Sequence, residues 1–120
     1  MEKVRSFISI WGVQVRGKFL LLSIVLVALG LALSGLYMVK TGHGSFSVVK
    51  ALFILIGVVL THISVNLFNE YSDYKTGIDS NTQRTPFSGG TGMLQSGKTT
   101  PSAVNTAAWQ TLFFAFLIGL

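Results

Sequence analysis

Apolar positions along the chain gather into three long runs. The first, FLLLSIVLVALGLALSGLYMV at positions 19–39, has 21 residues without a formal charge. At about 1.5 Å per residue such a helix is about 30 Å long, which matches the hydrocarbon thickness of a bilayer. The second run covers positions 51–69, and the third becomes strongly apolar from position 103 onward. The pattern predicts three transmembrane helices, at about 19–39, at about 47–70 and from about 103.

The segments outside these runs are an amphipathic N-terminus, a short connection and a long polar stretch. Apolar residues recur at helical spacing within residues 1–17, namely Val4, Phe7, Ile8 and Trp11. This spacing predicts a helix lying in the membrane interface. The connection at 41–45 is short, so the first two spans should form an antiparallel hairpin. The segment 71–102 is long and polar, which is typical of a binding loop or lid.

The composition agrees with an all-α membrane protein. Half of the 120 residues are hydrophobic, 11% are charged and no cysteine is present, which excludes a disulfide framework. A cleaved signal peptide is the alternative for the first run. That run is longer than a signal-peptide core and a second apolar run follows it, so a retained span is favoured.

The basic residues predict the orientation of the chain in a membrane. Seven of nine lie before the first span or in the segment 71–102, and two flank the short connection; the seven are Lys3, Arg5, Arg16, Lys18, Lys75, Arg84 and Lys98. Since basic residues concentrate on the cytoplasmic side, the N-terminus and the segment 71–102 should be cytoplasmic. The net charge of +5 is then explained by anionic lipid headgroups, and a nucleic-acid partner is not expected.

Acidic residues are rare and clustered. Of the four in the chain, Glu70, Asp73 and Asp79 fall within ten positions at the end of the second run. Ionisable groups at a membrane boundary are costly, so they indicate a functional site. A solvated helix end is the alternative, but carboxylates near a helix C-terminus oppose the helix dipole.

The spacing of the polar residues predicts a magnesium site. Four oxygen-bearing side chains share one helix face at i, i+3, i+4 and i+7, namely Asn66, Asn69, Glu70 and Asp73. Carboxylate and amide oxygens suit Mg²⁺, which completes its shell with water and phosphate oxygens. Gly77 should end the helix and let Asp79 turn back toward the metal. Lys75 and Arg84 flank the site and could contact a phosphate.

Two further features have plainer interpretations. His62 lies within the second run, where a hydrogen bond between packed helices is favoured over a catalytic role. The stretch TPFSGGTGMLQSGK at positions 85–98 could offer backbone N–H groups to an anion, but it matches no phosphate-binding pattern, and a flexible loop is favoured.

The motifs together resemble one family. They read Asn66-x-x-Asn69-x-Tyr71-x-Asp73-x-x-x-Gly77-x-Asp79, then Arg84-Thr85-Pro86-Phe87-Ser88-Gly89-Gly90, then Leu94-Gln95-x-Gly97, with Trp11 and Arg16 upstream. This set resembles the UbiA superfamily of membrane-embedded prenyltransferases, and most of all its menaquinone branch, the 1,4-dihydroxy-2-naphthoate polyprenyltransferases. The order of the motifs fits along the whole chain.

The resemblance implies a fold, a reaction and a set of site residues. The fold would be a bundle of about nine transmembrane helices, of which this chain holds three. The enzyme would use Mg²⁺ to transfer a polyprenyl group from polyprenyl diphosphate to an aromatic acceptor, 1,4-dihydroxy-2-naphthoate or a similar compound. By position, Asn69, Asp73 and Asp79 would hold the metal, and the two aspartates would be catalytic. Residues implied to contact the diphosphate are Asn66, Glu70, Lys75, Arg84 and Arg16.

The chain departs from the family pattern in three places. Gly17 replaces a proline, Glu70 replaces an aspartate, and the second aspartate-rich motif of the family does not occur before Leu120. We therefore expect the chain to be the N-terminal portion of an enzyme. The alternative is a small, non-enzymatic membrane protein of three helices, or a remnant, whose acidic loop binds a cation. A transporter or channel fragment ranks last, because the charges lie at the membrane edge.

Overall fold

The chain folds entirely into helices in a computed structural model that describes residues 2–85 and 88–120, without the side chains of Glu2, Lys3 and Ser80. No strand occurs within these residues, which confirms the predicted all-α class. Pro86 and Phe87, part of one sequence motif, and Met1, part of the predicted interfacial segment, lie outside them. The helices are α1 (Glu2–Gln14), α2 (Gly17–Thr41), α3 (Val48–Thr76), α4 (Ile78–Asn81) and α5 (Pro101–Gly119).

Two of the helices, α2 and α3, are long and apolar enough to cross a membrane. They contain 25 and 29 residues, and most of their large apolar side chains are exposed in the isolated chain. The core helix of a soluble protein would bury such side chains, so lipid is the environment that they fit. α5 is not one of the candidate spans, because polar residues occupy its first turns, including Ser102, Asn105 and Gln110. The third span therefore stays a prediction.

Local sequence signals set the ends of α3 and α5. The Ser47 hydroxyl accepts a hydrogen bond from the Lys50 N–H at 3.4 Å and so caps the start of α3. Gly77 ends α3 in the left-handed conformation, with a φ of 74°, as the sequence predicted. α5 begins with Pro101 after the capping residue Thr100. The chain therefore turns sharply at Gly77 into the single turn of α4.

The core lies at the end of α3 that carries the acidic residues. It consists of Leu67, Leu94, Val104 and Ala108, which are all buried. α3 and α5 form the main helix contact, where the Ser64 hydroxyl donates to the Ala108 carbonyl at 2.9 Å. Trp11 and Val15 of the N-terminal region pack against the same core. The polar segment after α3 therefore packs, through Leu94, against α3, α5 and the N-terminal region.

A hydrogen bond also joins α2 to α3 within the apolar region. The Ser23 hydroxyl and His62 Nδ1 are 2.6 Å apart. Ser23 is buried, although almost all of α2 is exposed. The prediction that His62 takes part in helix packing is confirmed.

Candidate functional site

The candidate site begins at the junction of α1 and α2, where Arg16 has an unusual backbone. Its φ of 55° and ψ of 48° are left-handed, and no other described residue except glycine has a positive φ. This conformation is unfavourable for a residue with a Cβ, and it persists only where the surroundings hold it. Here it turns the chain from α1 into α2 and brings the guanidinium group to α3.

The partner of Arg16 is Glu70, a buried carboxylate of α3. Arg16 Nη2 lies 2.7 Å from Glu70 Oε1, and Arg16 Nε donates to the same oxygen at 2.9 Å. The Thr91 N–H donates to both carboxylate oxygens, at 3.0 and 3.2 Å, and its hydroxyl donates to Oε2 at 2.9 Å. Glu70 is only 1% exposed. Two residues that the family resemblance assigned to the diphosphate, Arg16 and Glu70, are therefore bonded to each other.

Asn66 joins α3 to the same junction. Its side-chain Nδ2 donates to the Val15 carbonyl at 3.0 Å. Val15 follows the last residue of α1, where helix carbonyls lack partners within the helix. The neighbouring Gln14 is fully buried, and its Oε1 accepts a hydrogen bond from the Thr99 hydroxyl at 2.6 Å. Asn66 therefore holds the end of α1 in place.

Asp79 is the second buried carboxylate. It lies on α4 and is 5% exposed, and its Oδ2 is buried without a hydrogen-bond partner among the described residues. Burial raises the pKa of Asp79 above its ordinary value of 3.8, and the negative charges of Glu70 and Asp73 raise it further. Arg16 and the nearby Gln95 side chain act in the opposite direction. The polar atoms of Gln95 are also buried and complete no hydrogen bond of good geometry.

The other predicted site residues are more exposed. Asp73 is half-buried, whereas Asn69, Lys75 and Arg84 are exposed. Lys75 Nζ lies 5.6 Å from the centre of the Tyr71 ring and so forms a cation–π contact within α3.

The donor set that remains for a metal is small. No group of three or more His, Asp or Glu side chains with metal-binding geometry occurs among the described residues. Glu70 is occupied by Arg16 and Thr91, which leaves Asp73 and Asp79. The orphaned oxygen of Asp79 fits a cation, and Mg²⁺ characteristically uses only one or two carboxylates and takes its other ligands from water and phosphate. The residues that would hold Mg²⁺ are therefore Asp73 and Asp79, with the Asn69 amide oxygen.

The residues 88–97, called the glycine segment below, include four glycines. Two of these glycines fit closely against Asp79 and Arg84. A Cβ on Gly90 would lie 2.0 Å from Asp79 Oδ2, and one on Gly92 would lie 2.4 Å from Arg84 Nη1. Both glycines have a positive φ, of 68° and 76°. Arg84 Nε also donates to the Gly89 carbonyl at 3.2 Å. The sequence favoured a flexible loop here, but these glycines have a specific packing role.

A cavity of about 430 Å³ lies between the α1–α2 junction and the glycine segment. Its described lining residues include the cations Arg16, Lys18 and Arg84 and the hydroxyl-bearing Ser88, and none of them is acidic. The described residues that line it are Gly12, Val13, Arg16, Gly17, Lys18, Phe19, Arg84, Thr85, Ser88, Gly90 and Thr91. Such a lining suits an anion with several oxygens.

Sequence reasoning missed Lys18 and Thr91. The charge pattern assigns Lys18 only to the topology of the chain, and Thr91 is a neutral residue among glycines. Their roles depend on how the N-terminal junction folds onto the glycine segment, a contact between distant parts of the chain that no local spacing reveals.

Comparison with known proteins yields no relative: no family model matches the chain, and no curated protein or solved structure is significantly similar to it. The function is therefore inferred from the residues and geometry of the site.

Proposed function

We propose that this chain binds the diphosphate of a polyprenyl diphosphate and takes part in its Mg²⁺-dependent transfer to an aromatic acceptor. The acceptor would be 1,4-dihydroxy-2-naphthoate or a similar compound. The observation that carries the proposal is the cationic cavity of about 430 Å³, whose lining residues Arg16 and Gly90 lie close to the carboxylate of Asp79. Cations and carboxylates side by side are what a complex of a metal and a diphosphate requires.

The cations account for recognition of the diphosphate. Arg16 and Arg84 offer planar sets of N–H donors that match phosphate oxygens, and Lys18 adds a compact positive charge. Backbone N–H groups of the glycine segment can approach an anion closely, because no Cβ stands between them and the ligand. Removing water from such a site strengthens each of these interactions.

The reaction needs stabilisation of the leaving group more than covalent help from the protein. The allylic C–O bond breaks with its electron pair leaving on the diphosphate, and a ring carbon of the acceptor donates a pair to form the new C–C bond. The ring then loses a proton. When bound, Mg²⁺ would neutralise part of the charge on the diphosphate. Arg16 and Arg84 stabilise the remaining negative charge, and Asp73 and Asp79 would hold the metal.

The apolar part of the molecule supports a prenylated substrate. A second cavity of about 880 Å³ lies along α2, α3 and α5, and its lining is mostly apolar. It extends along α3 from Lys50 to Val65, which directly precedes Asn66 of the site. At about 1.5 Å per residue this distance is roughly 22 Å, enough for several isoprene units beside the helix.

The proposed setting is a cell membrane, with the N-terminus and the site on the cytoplasmic side. The basic residues before α2 and after α3 support this orientation. The chain would be part of a larger helical bundle of the UbiA type, with the acceptor bound against helices that this chain does not contain.

Prenyl transfer tests the proposal. Membranes containing the complete helical bundle, of which this chain would be part, are incubated with geranylgeranyl diphosphate, 1,4-dihydroxy-2-naphthoate and Mg²⁺, and released diphosphate and prenylated product are measured. We expect Asp73→Asn to abolish transfer without preventing membrane insertion, and the remote Lys40→Gln to leave transfer unchanged. Transfer that persists in Asp73→Asn would contradict the role given to Asp73. Binding of divalent cations without any binding of diphosphate would instead favour the non-enzymatic alternative.

A further inference from the structure

Glu70 connects three segments that are far apart in the sequence. It is bonded to Arg16, which lies 54 positions before it, and to Thr91, which lies 21 positions after it. Both partners line the cationic cavity, whereas Glu70 itself does not. The carboxylate therefore lies behind the part of the cavity wall to which Arg16 and Thr91 both contribute.

We infer that Glu70 is a positioning residue for diphosphate binding and not a ligand of the metal or the diphosphate. The inference rests on the proposed function, because it names how that same site is assembled. Glu70 holds Arg16 and the glycine segment together where both line the cavity.

The geometry of Arg16 suits this division of labour. A guanidinium group carries five N–H donors, and Nε and Nη2 use two of them on one oxygen of Glu70. The other N–H donors are not used by Glu70, so Arg16 can bind Glu70 with one set of donors and an anion with the others. The ion pair also stabilises the left-handed backbone conformation of Arg16, which sets the turn between α1 and α2.

Thr91 carries the effect of Glu70 to the glycine segment. Its N–H and its hydroxyl both donate to Glu70, so the backbone is fixed at that residue. The adjacent Gly90 and Gly92 lie against Asp79 and Arg84. A single carboxylate thus determines where Arg16 lies, and through Thr91 it also determines where the glycine segment holds Arg84.

The possible roles of Glu70 predict different changes in anion affinity for the variant Glu70→Gln. If its charge acted on the ligand only through space, Glu70→Gln would strengthen anion binding, because a negative charge near the anion is removed. If Glu70 were a metal ligand, Glu70→Gln would weaken anion binding only when Mg²⁺ is present. A positioning residue predicts weaker anion binding both with and without Mg²⁺.

The experiment titrates inorganic pyrophosphate into the full chain in detergent micelles by calorimetry, once with Mg²⁺ and once with EDTA. We expect Glu70→Gln to weaken pyrophosphate binding about tenfold under both conditions, a loss typical of an interaction with a charged group. In the Arg16→Ala background the same change should have a much smaller effect, since additivity fails for residues that act through each other. A fold that is merely loosened would lower affinity equally in both backgrounds.

Thr91→Val is a milder second variant for the case in which Glu70→Gln does not fold. It removes one hydroxyl donor to Glu70 and keeps the N–H and every charge, so we expect a loss of about twofold to fivefold. Thr111→Val is its control, because the Thr111 hydroxyl bonds only to carbonyls of its own helix. Unchanged or tighter binding in Glu70→Gln or Thr91→Val would overturn the positioning role and leave the proposed function standing. If the unaltered chain does not bind pyrophosphate at all, both are wrong.

Discussion

Arg16 and Glu70 form an ion pair with an N–O distance of 2.7 Å between residues that are 54 positions apart. Glu70 is almost completely buried, and the Arg16 side chain is 23% exposed. The pair joins the α1–α2 junction to the end of α3, so it contributes to the fold as well as to the proposed site.

Removing Arg16 should destabilise the chain. Arg16→Ala leaves a buried carboxylate without its cation, which costs about 3–5 kcal/mol for fully buried pairs and about 2–4 kcal/mol here, since Arg16 is partly exposed. The free energy of unfolding is measured by denaturant titration in detergent. Arg5→Ala, which removes an exposed arginine of α1, is the control and should change stability by less than about 0.5 kcal/mol.

A second change separates the loss of the cation from the loss of packing. Arg16→Ala combined with Glu70→Gln should be more stable than Arg16→Ala alone, because the buried charge of Glu70, which has lost its cation, is removed. If the double variant is less stable than Arg16→Ala, burial of an unpaired charge is not the cause of the destabilisation.

Asp79 should make stability depend on pH. Because the pKa of Asp79 is raised above 3.8 in the folded chain, the folded state binds more protons than the unfolded state between these two pKa values. The free energy of unfolding therefore falls as the pH rises through that window, and the cost persists at higher pH. Asp79→Asn removes the cost, although Glu70, Asp73 and Arg16 remain. We expect this variant to be more stable than the unaltered chain at neutral pH without metal.

The pH dependence is measured by unfolding the chain without metal between about pH 2 and pH 8, a range that begins well below the ordinary pKa of a carboxyl group. The two stability curves should converge at the acid end, where Asp79 is protonated in both states. Parallel curves over the whole range would contradict the assignment to Asp79.

Gly90 should be intolerant of a side chain for two separable reasons. Its φ is 68°, and a Cβ would lie 2.0 Å from Asp79 Oδ2. Gly97 has almost the same φ, 67°, but open space around its Cβ position. Gly97→Ala therefore measures the backbone strain alone, about 1 kcal/mol, and Gly90→Ala should cost at least about 1–2 kcal/mol more. Equal losses in the two variants would show that the close approach to Asp79 does not matter.

The hydrogen bond between Ser23 and His62 should stabilise the packing of α2 on α3 by a modest amount. Ser23→Ala removes the hydroxyl, and we expect a loss of about 0.6–1.7 kcal/mol, the range measured for polar contacts between membrane helices. Ser34→Ala, at an exposed position of the same helix, is the control. Unfolding of both variants in detergent gives the comparison, and equal stability of the two would mean that the bond contributes little.

Much of the fold follows from local patterns. The apolar run at 19–39 lies inside α2, and Gly77 ends α3, because hydrophobic length and glycine conformation act locally. The shared face of Asn66 and Glu70 also follows from helical periodicity. Their partners, Val15 and Arg16, do not, because a left-handed residue between two helices leaves no periodic signal.

The sequence therefore predicts which residue types make up the candidate site. It does not predict which of these residues contact each other. Carboxylates at the end of α3 predicted a cation, and one of them, Glu70, is neutralised by Arg16 instead. An ion pair between positions so far apart depends on the tertiary fold, which spacing along one helix does not encode.

The most direct measurement is the binding of inorganic pyrophosphate to the full chain in detergent, with and without Mg²⁺. The cationic cavity and the adjacent Asp73 and Asp79 predict saturable binding that Mg²⁺ strengthens. Arg84→Ala should weaken it about tenfold, as expected for a charge-assisted contact, whereas Lys40→Gln should not. Absence of saturable binding in the unaltered chain, or equal binding in the Arg84 and Lys40 variants, would contradict the proposal that this cavity holds a diphosphate.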